Sequence, residues 1–229
     1  MSSKPKAQKK GAAKSPPGIA KRRATAQAEG TEAYQERRTE ITKAAAQVFH
    51  RKGYKGTTIG AVADVLGTDR ASLYYYISGK DELFDDVVRE VTEVNVTTAL
   101  AIRDGDDPAP VKLRSMIEAL MASYAETYPM LYVYMRENLA DVEGPREGWS
   151  RYMRSMNKQY EDAVIEVVQQ GFDEGTLRPT GSARTVAFGI IGMVGWTNRW
   201  FSPERSAESH QELARTFADT VLDGLALDR

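Results

Sequence analysis

Between Thr57 and Tyr76 the chain is punctuated so closely that two short helices joined by a tight turn are the arrangement that fits. Thr58 suits a helix N-cap, because its hydroxyl can accept from an amide that the first turn leaves without a partner. Ile59, Val62, Ala63 and Leu66 recur at helical spacing, and Ala63 is small where a second helix must cross closely. Gly67 can take the left-handed backbone that ends a helix and turns the chain. Asp69 can cap a second helix, whose Leu73 and Tyr76 then point toward a core. Arg70, Ala71, Ser72, Tyr74 and Tyr75 remain on or near the outer face. A face of small and hydrogen-bonding residues suits a helix lying in the DNA major groove. The segment reads as a helix-turn-helix, a pattern that also arises by chance, so its context decides.

Charge supplies part of that context. The net charge of the chain is only −1, but it is segregated. Residues 1–30 carry eight Lys/Arg against one Glu (+7), and residues 31–80 carry eight basic against five acidic residues (+3). Residues 81–229 carry 15 basic against 26 acidic residues (−11). A basic front end on an acidic remainder suits a protein that presents one end to a polyanion. The alternative is a solvated basic tail on an ordinary acidic domain.

Other chemistries are poorly supplied. There is no cysteine, so thiol nucleophiles, disulfides and zinc fingers are excluded. His50 and His210 lie far apart without ligand-spaced partners, no Gly-rich phosphate loop is present, and no His–carboxylate pair suggests catalysis. We therefore expect no enzyme activity, no metal and no cofactor. No apolar run approaches the roughly 20 residues that cross a bilayer. The first 30 residues lack the apolar centre of a secretory signal, which makes a soluble, cytoplasmic protein the expectation.

Three regions follow: a disordered basic arm over 1–30, a DNA-binding unit over 31–80, and an effector and dimerisation unit over 81–229. The arm is rich in Lys, Ala, Ser, Pro and Gly and cannot bury enough surface to order itself. From Tyr34 onward the pattern is helical almost to the end. A first helix carries Ile41, Ala45, Val48 and Phe49 and stops at Gly53. After the helix-turn-helix, a long helix opens with Asp81 and Glu82 in its first turn, where the helix dipole favours acids. Further helices are expected near 110–127, from Pro129 to about Asp141, from about 147 to Gly171, and over 182–201 and 205–226. No strand pattern is visible, so the expected class is all-α.

The last two helices differ from the rest. Gly189, Gly192 and Gly195 recur every third residue in an apolar helix, at a cost of about 1 kcal/mol each relative to Ala. Their presence suggests close helix approach. Leu213, Phe217 and Val221 follow at heptad-like spacing. Two such helices from each of two chains would build a four-helix homodimer interface; the competing arrangement is a core pair within one chain.

Taken together, the residues from Ile41 to Leu83 resemble the TetR family of transcriptional regulators. The resemblance rests on Ile41, Ala44-Ala45, Phe49, Gly53-Tyr54, Thr57-Thr58-Ile59, Ala63, Gly67, Ser72-Leu73-Tyr74, Tyr76 and Lys80-Asp81-Glu82-Leu83. It implies an all-helical homodimer with a three-helix DNA-binding head and a larger helical domain that binds a small molecule. It also implies that effector binding repositions the heads and releases a double-stranded operator. By the same resemblance Thr58 contacts a phosphate, Arg70, Ala71, Ser72, Tyr74 and Tyr75 form the DNA-facing surface, and Lys80 grips the backbone. Arg70 is the expected base reader, because Arg pairs bidentately with guanine, and Tyr74 fixes register on a phosphate. Thr68 stands where the family usually has an aliphatic residue and Asp69 where Ser is common, so Asp69 is read as a helix cap and not as a phosphate contact.

The effector site has weaker signals. Residues 116–200 are rich in Met and aromatics, and Tyr124, Tyr128, Met153, Tyr160, Met193 and Trp196 are candidates to line an apolar pocket. Asn157 and Arg199 are candidates to orient a polar group on the ligand. Most such residues, taken singly, are ordinary core. The segment Gly195–Pro203 resembles the ends of penultimate helices in regulators of lipid and steroid breakdown, some of which sense acyl-CoA thioesters. That points to a bulky hydrophobic or acyl-CoA-like effector. The competing function is a constitutive DNA-binding or architectural protein with no effector.

Overall fold

The computed structural model describes residues 30–137 and 147–225. The expected basic arm, apart from Gly30, and the end of the helix expected to reach Asp141 lie outside the described residues. Nine α-helices and one 3₁₀ turn lie among the described residues, and no strand is found there. The fold class is all-α.

Helix α1 (Glu32–Gly56) opens at Thr31, whose hydroxyl accepts from the Tyr34 amide. Its regular backbone breaks at Gly53, where φ is 66°. Helix α2 (Ile59–Leu66) is capped by Thr58 Oγ1, which accepts from the Ala61 amide at 3.2 Å. Gly67 ends it in the left-handed region (φ 62°, ψ 33°). Helix α3 (Arg70–Leu73) is capped by Asp69, whose carboxylate accepts from the Ser72 amide at 2.9 Å and from its hydroxyl at 2.5 Å. These three capped turns place Ile41, Phe49, Val62 and Leu73 in one cluster, each at 1% exposure or less. Burying a side chain of that size contributes about 1.5–3 kcal/mol.

Helix α4 (Lys80–Asp104) is the spine of the molecule. Its first half gives Leu83, Phe84, Val87 and Val88 to the cluster just described. Its second half gives Ala99 to a separate core built from α5 (Ala109–Glu126), α6 (Met130–Glu137), α7 (Glu147–Asp173), α8 (Ala183–Gly195) and α9 (His210–Leu225). Helix α7 also serves both cores. Trp149 and Met153 pack on the head side, while Ala163, Val164, Val167 and Val168 pack in the body. At its end Gly171 lies under Leu177: a Cβ there would come within 2.4 Å of Leu177 Cδ1, so the close approach requires glycine.

The expected helix over 182–201 is a regular helix only to Gly195, then tightens into a 3₁₀ turn, Trp196–Arg199. The last helix packs chiefly on α5 of its own chain and only slightly on α8. Leu213 is therefore buried in its own chain's core at 3% exposure, whereas Phe217 and Val221 are half-buried at its margin. Gly189 and Gly192 face outward on α8, with nothing within 4 Å of where their Cβ would stand. No helix among the described residues is long and apolar enough to cross a membrane.

Candidate nucleic-acid interface and effector cavity

The outer face of the two short helices carries Thr58, Arg70, Ala71 and Ser72, all exposed, with Tyr74 and Tyr75 half-buried. Arg70 lies along α3, with Nη2 donating to the Tyr74 hydroxyl at 2.8 Å and the guanidinium 5.4 Å from the ring centroid. The Tyr74 hydroxyl thus holds Arg70 extended over the outer face. Tyr75 is anchored differently, edge-on to Tyr34 at 6.0 Å and to Tyr76 at 4.9 Å. Asp69 is occupied as a cap, and the Ser72 hydroxyl and amide hold its carboxyl below the usual carboxylate range. Lys80 is also committed: Nζ donates to the Tyr54 carbonyl at 3.0 Å and sits 4.2 Å above the Tyr54 ring. A phosphate contact from Lys80 would have to share or replace those partners.

The head is clamped to α4 by a network that sequence reasoning missed. Arg38 Nη2 on α1 donates to Glu82 Oε1 at 2.8 Å and Asp86 Oδ2 at 2.6 Å, and Nη1 donates to the Tyr76 carbonyl at 3.3 Å. Burial opposes ionisation of Glu82, but the Ser78 hydroxyl and amide, with Arg38, outweigh it and hold the carboxyl below its usual range. At Asp86 burial wins over Arg38 and the carboxyl is pushed up. The signal was available in part, since Glu82 and Asp86 stand one helical turn apart on α4. Nothing in the sequence linked them to Arg38.

Where head and body meet, a cavity of about 550 Å³ opens between α1, α4 and α5. Its head wall is Lys43, Ala46 and Gln47; its other walls include Val91, Leu120 and, from α7, Tyr160. An adjoining recess of about 500 Å³ shares Ala46, Gln47, Val87 and Val91 with it and reaches His50. His50 Nδ1 donates to the Tyr128 carbonyl at 2.5 Å, a second bridge from head to body. A smaller cavity of about 230 Å³ lies between helices of the body and shares Asn95, Leu120 and Tyr160 with the large one. Its lining includes Tyr124, Asn157 and Ile191.

A family model described as "Tetracyclin repressor-like, C-terminal domain" matches residues 106–225, more than half of the chain. A second, "Bacterial regulatory proteins, tetR family", matches residues 41–87, the helices just described. The chain belongs to the TetR family. It is a DNA-binding transcriptional regulator with a helix-turn-helix head and a helical C-terminal domain. It is similar to the transcriptional repressor KstR2 of Mycobacterium tuberculosis, 25% identical over 190 residues, covering 82% of this chain and 92% of that one. The KstR2 repressor of Rhodococcus jostii is 26% identical over 196 residues, covering 83% and 91%. Among solved structures, the ketosteroid regulator KstR2 of Mycobacterium tuberculosis matches with a TM-score of 0.69 at 24% identity, covering 84% of this chain and 96% of that one. The structure of AibR in complex with isovaleryl coenzyme A and operator DNA matches with a TM-score of 0.64 at 21% identity, covering 80% and 97%. The KstR2 relatives are transcriptional repressors.

Within this TetR-family body, the residues singled out from sequence for the effector are dispersed. Tyr124, Asn157 and Tyr160 come together around the smaller cavity. Tyr128 packs edge-on against Tyr132 at 5.7 Å and gives its carbonyl to His50. Met153 is buried on the head side, Met193 is half-buried on α8, and neither lines the three cavities described. Trp196 is 59% exposed, with the Arg199 guanidinium 4.8 Å over its ring, at the outer surface. Tyr160 also lines the large cavity, but the rest of its lining was missed, above all Lys43, Ala46 and Gln47 on a helix assigned to DNA binding. A faint signal existed in the small residues facing one another there, Ala46, Ala99, Ala119 and Ala122.

Proposed function

We propose that this TetR-family regulator is a ligand-responsive repressor, released from a palindromic operator when a bulky hydrophobic or acyl-CoA-like molecule enters the cavity between head and body. The observation that carries the reading is the composition of the large cavity's walls: α1 of the head forms one side and α4, α5 and α7 of the body form the others. An occupant touches the DNA-reading unit directly, so its binding energy depends on where the head sits. Coupling of about 1–3 kcal/mol is typical of such effectors and would weaken operator binding from a few-fold to about a hundredfold. The similarity to AibR, a protein solved with an acyl coenzyme A and operator DNA, supports the same class of effector.

In this reading residues 31–80 read DNA and residues 81–229 bind the effector and pair two chains. Arg70 reads a base, Thr58 and Tyr74 hold phosphates, and the chain has no catalytic role and works in the cytoplasm. The homodimer face is the outer side of α8 and the 3₁₀ turn, where Phe188, Trp196 and Trp200 are 37%, 59% and 48% exposed beside Gly189 and Gly192. Large apolar side chains grouped on a surface favour a partner. Phe217 and Val221, half-buried on α9, are read as part of the same interface, and two copies would space the heads for two half-sites. The constitutive alternative leaves the head-to-body cavity without a use.

Selection of bound fragments from the source genome tests the reading. The expected result is one inverted-repeat site bound in the nanomolar range, with much weaker binding to unrelated duplexes. Equal affinity for every duplex contradicts it.

A further inference from the structure

The smaller cavity has a chemistry of its own. Tyr124 is 5% exposed and lines it, yet among the described residues its phenol has no hydrogen-bond partner. Tyr160, from the facing helix α7, lines the same cavity with no partner there either. The neighbouring Tyr132 shows the contrast. Its hydroxyl pairs with Thr197 Oγ1 at 2.9 Å, and since Thr197 donates onward to the Val194 carbonyl at 2.7 Å, Tyr132 is the donor. Both side chains line this space without a hydrogen-bond partner among the described residues, so an occupant that accepts from both hydroxyls gains two hydrogen bonds. Burial raises both phenols well above their ordinary value, and each would be a neutral donor at any physiological pH.

The charges around the space narrow the occupant further. Among the described residues Glu161 lines it and no Lys, Arg or His does, so an anion placed there would lose water without gaining a counter-ion from them. Apolar Val96, Leu120, Leu131 and Ile191 share the remaining lining with the neutral polar side chains of Thr92, Asn95 and Asn157. We propose that this cavity seats a neutral carbonyl oxygen carried on an apolar body, held by the hydroxyls of Tyr124 and Tyr160, and that it rejects free carboxylates. The inference rests on the effector reading above and deepens it: the end of the ligand held here is a ketone or thioester carbonyl, and its remainder runs past Tyr160 into the large cavity toward α1.

The test uses the full chain and the solvatochromic ketone prodan, whose emission moves to the red when its carbonyl accepts hydrogen bonds. Prodan is expected to bind, and its emission to move to the blue in Tyr124→Phe and Tyr160→Phe, with affinity falling about tenfold in each. Phe keeps the ring, and thermal unfolding confirms that each variant is folded. Competition with three chain-matched probes then distinguishes the sources. Methyl nonyl ketone displacing prodan assigns a free ketone, decanoyl coenzyme A displacing it assigns a thioester, and either upholds the proposal provided decanoate is much weaker. Decanoate competing as well as the neutral probes overturns it. Prodan failing to bind up to its solubility limit, or binding alike in all variants, overturns it too. Operator release is followed in the same samples. A carbonyl probe that binds through the two tyrosines without releasing DNA upholds this chemistry and removes the effector reading.

Discussion

The head and the body of this regulator are built by different means. In the head, almost every turn is set by a residue acting on its own neighbours: Thr58 and Asp69 cap, Gly53 and Gly67 reverse the backbone, and Arg70 lies along the helix that Tyr74 extends. In the body, the site is a space left between helices far apart in sequence, with Lys43, Asn95, Leu120 and Tyr160 meeting around it. Local devices make a fixed surface, which a DNA duplex requires. A space between long helices can change shape when they slide, which an effector requires. The two are joined through α4 and α7, which serve both cores, and through the Arg38 clamp and the His50 bridge.

The largest expected effect tests whether the two regions are separable at all. Phe49 is fully buried and packs on Tyr54 and Phe84 with ring centroids 6.1 and 5.6 Å apart. Phe49→Ala is expected to cost about 3–5 kcal/mol in chemical denaturation. Because Met130, Trp149 and Met153 from the body share its cluster, helical signal and Trp fluorescence should be lost in one transition. Two separate transitions would break the picture of a shared spine.

Next in size is Arg70→Ala, which sharpens the comparison by touching the DNA face alone. Operator affinity is expected to fall by about 1–3 kcal/mol, with preference relaxed at one base pair of each half-site. Effector binding, followed by prodan emission, should not change. Unaltered discrimination among operator variants would remove Arg70 as the reader.

The smallest effect concerns the clamp between the regions. A carboxyl whose pKa is lowered by folding stabilises above its unfolded value and loses that contribution as pH falls through the folded one. Glu82 is such a group, so its contribution is full above about pH 4.3 and fades below. Asp86, shifted upward, has the opposite sign: its ionisation weakens the fold as pH rises past about 3.9. Glu82→Gln should therefore flatten the acid limb of a denaturation–pH curve and cost more at pH 7 than Asp86→Asn. The reverse order at pH 7 would show that Asp86 is the stronger half of the clamp.

The same contrast explains what could be read in the chain. The head was legible because capping and left-handed turns depend on residues three or four positions apart, and the sequence displays them in order. Residue type made Met153 a candidate for the effector pocket, and heptad-like spacing made Leu213 a candidate for the dimer interface, but neither signal says what a side chain faces. Met153 lies on the head side because α7 extends past the body, and Leu213 is covered by α5 of its own chain. Lys80 looked free for a phosphate and is held by Tyr54, a contact across 26 positions that no local rule supplies. Tyr124, Asn157 and Tyr160 were recognised as candidates by residue type, yet that they share one cavity depends on how α5 packs against α7.

The central claim is that an occupant of the head-to-body cavity weakens DNA binding. Ala46 lies on α1, is half-buried, and lines both the large cavity and its adjoining recess, away from the DNA face. Ala46→Phe places a ring in that space as a permanent occupant. Operator affinity of the folded variant, without any effector, measures the coupling directly. The expected loss is about tenfold or more, within the ~1–3 kcal/mol range of effector coupling, together with little further response to effector. Affinity equal to that of the parent, with the effector response intact, would contradict it.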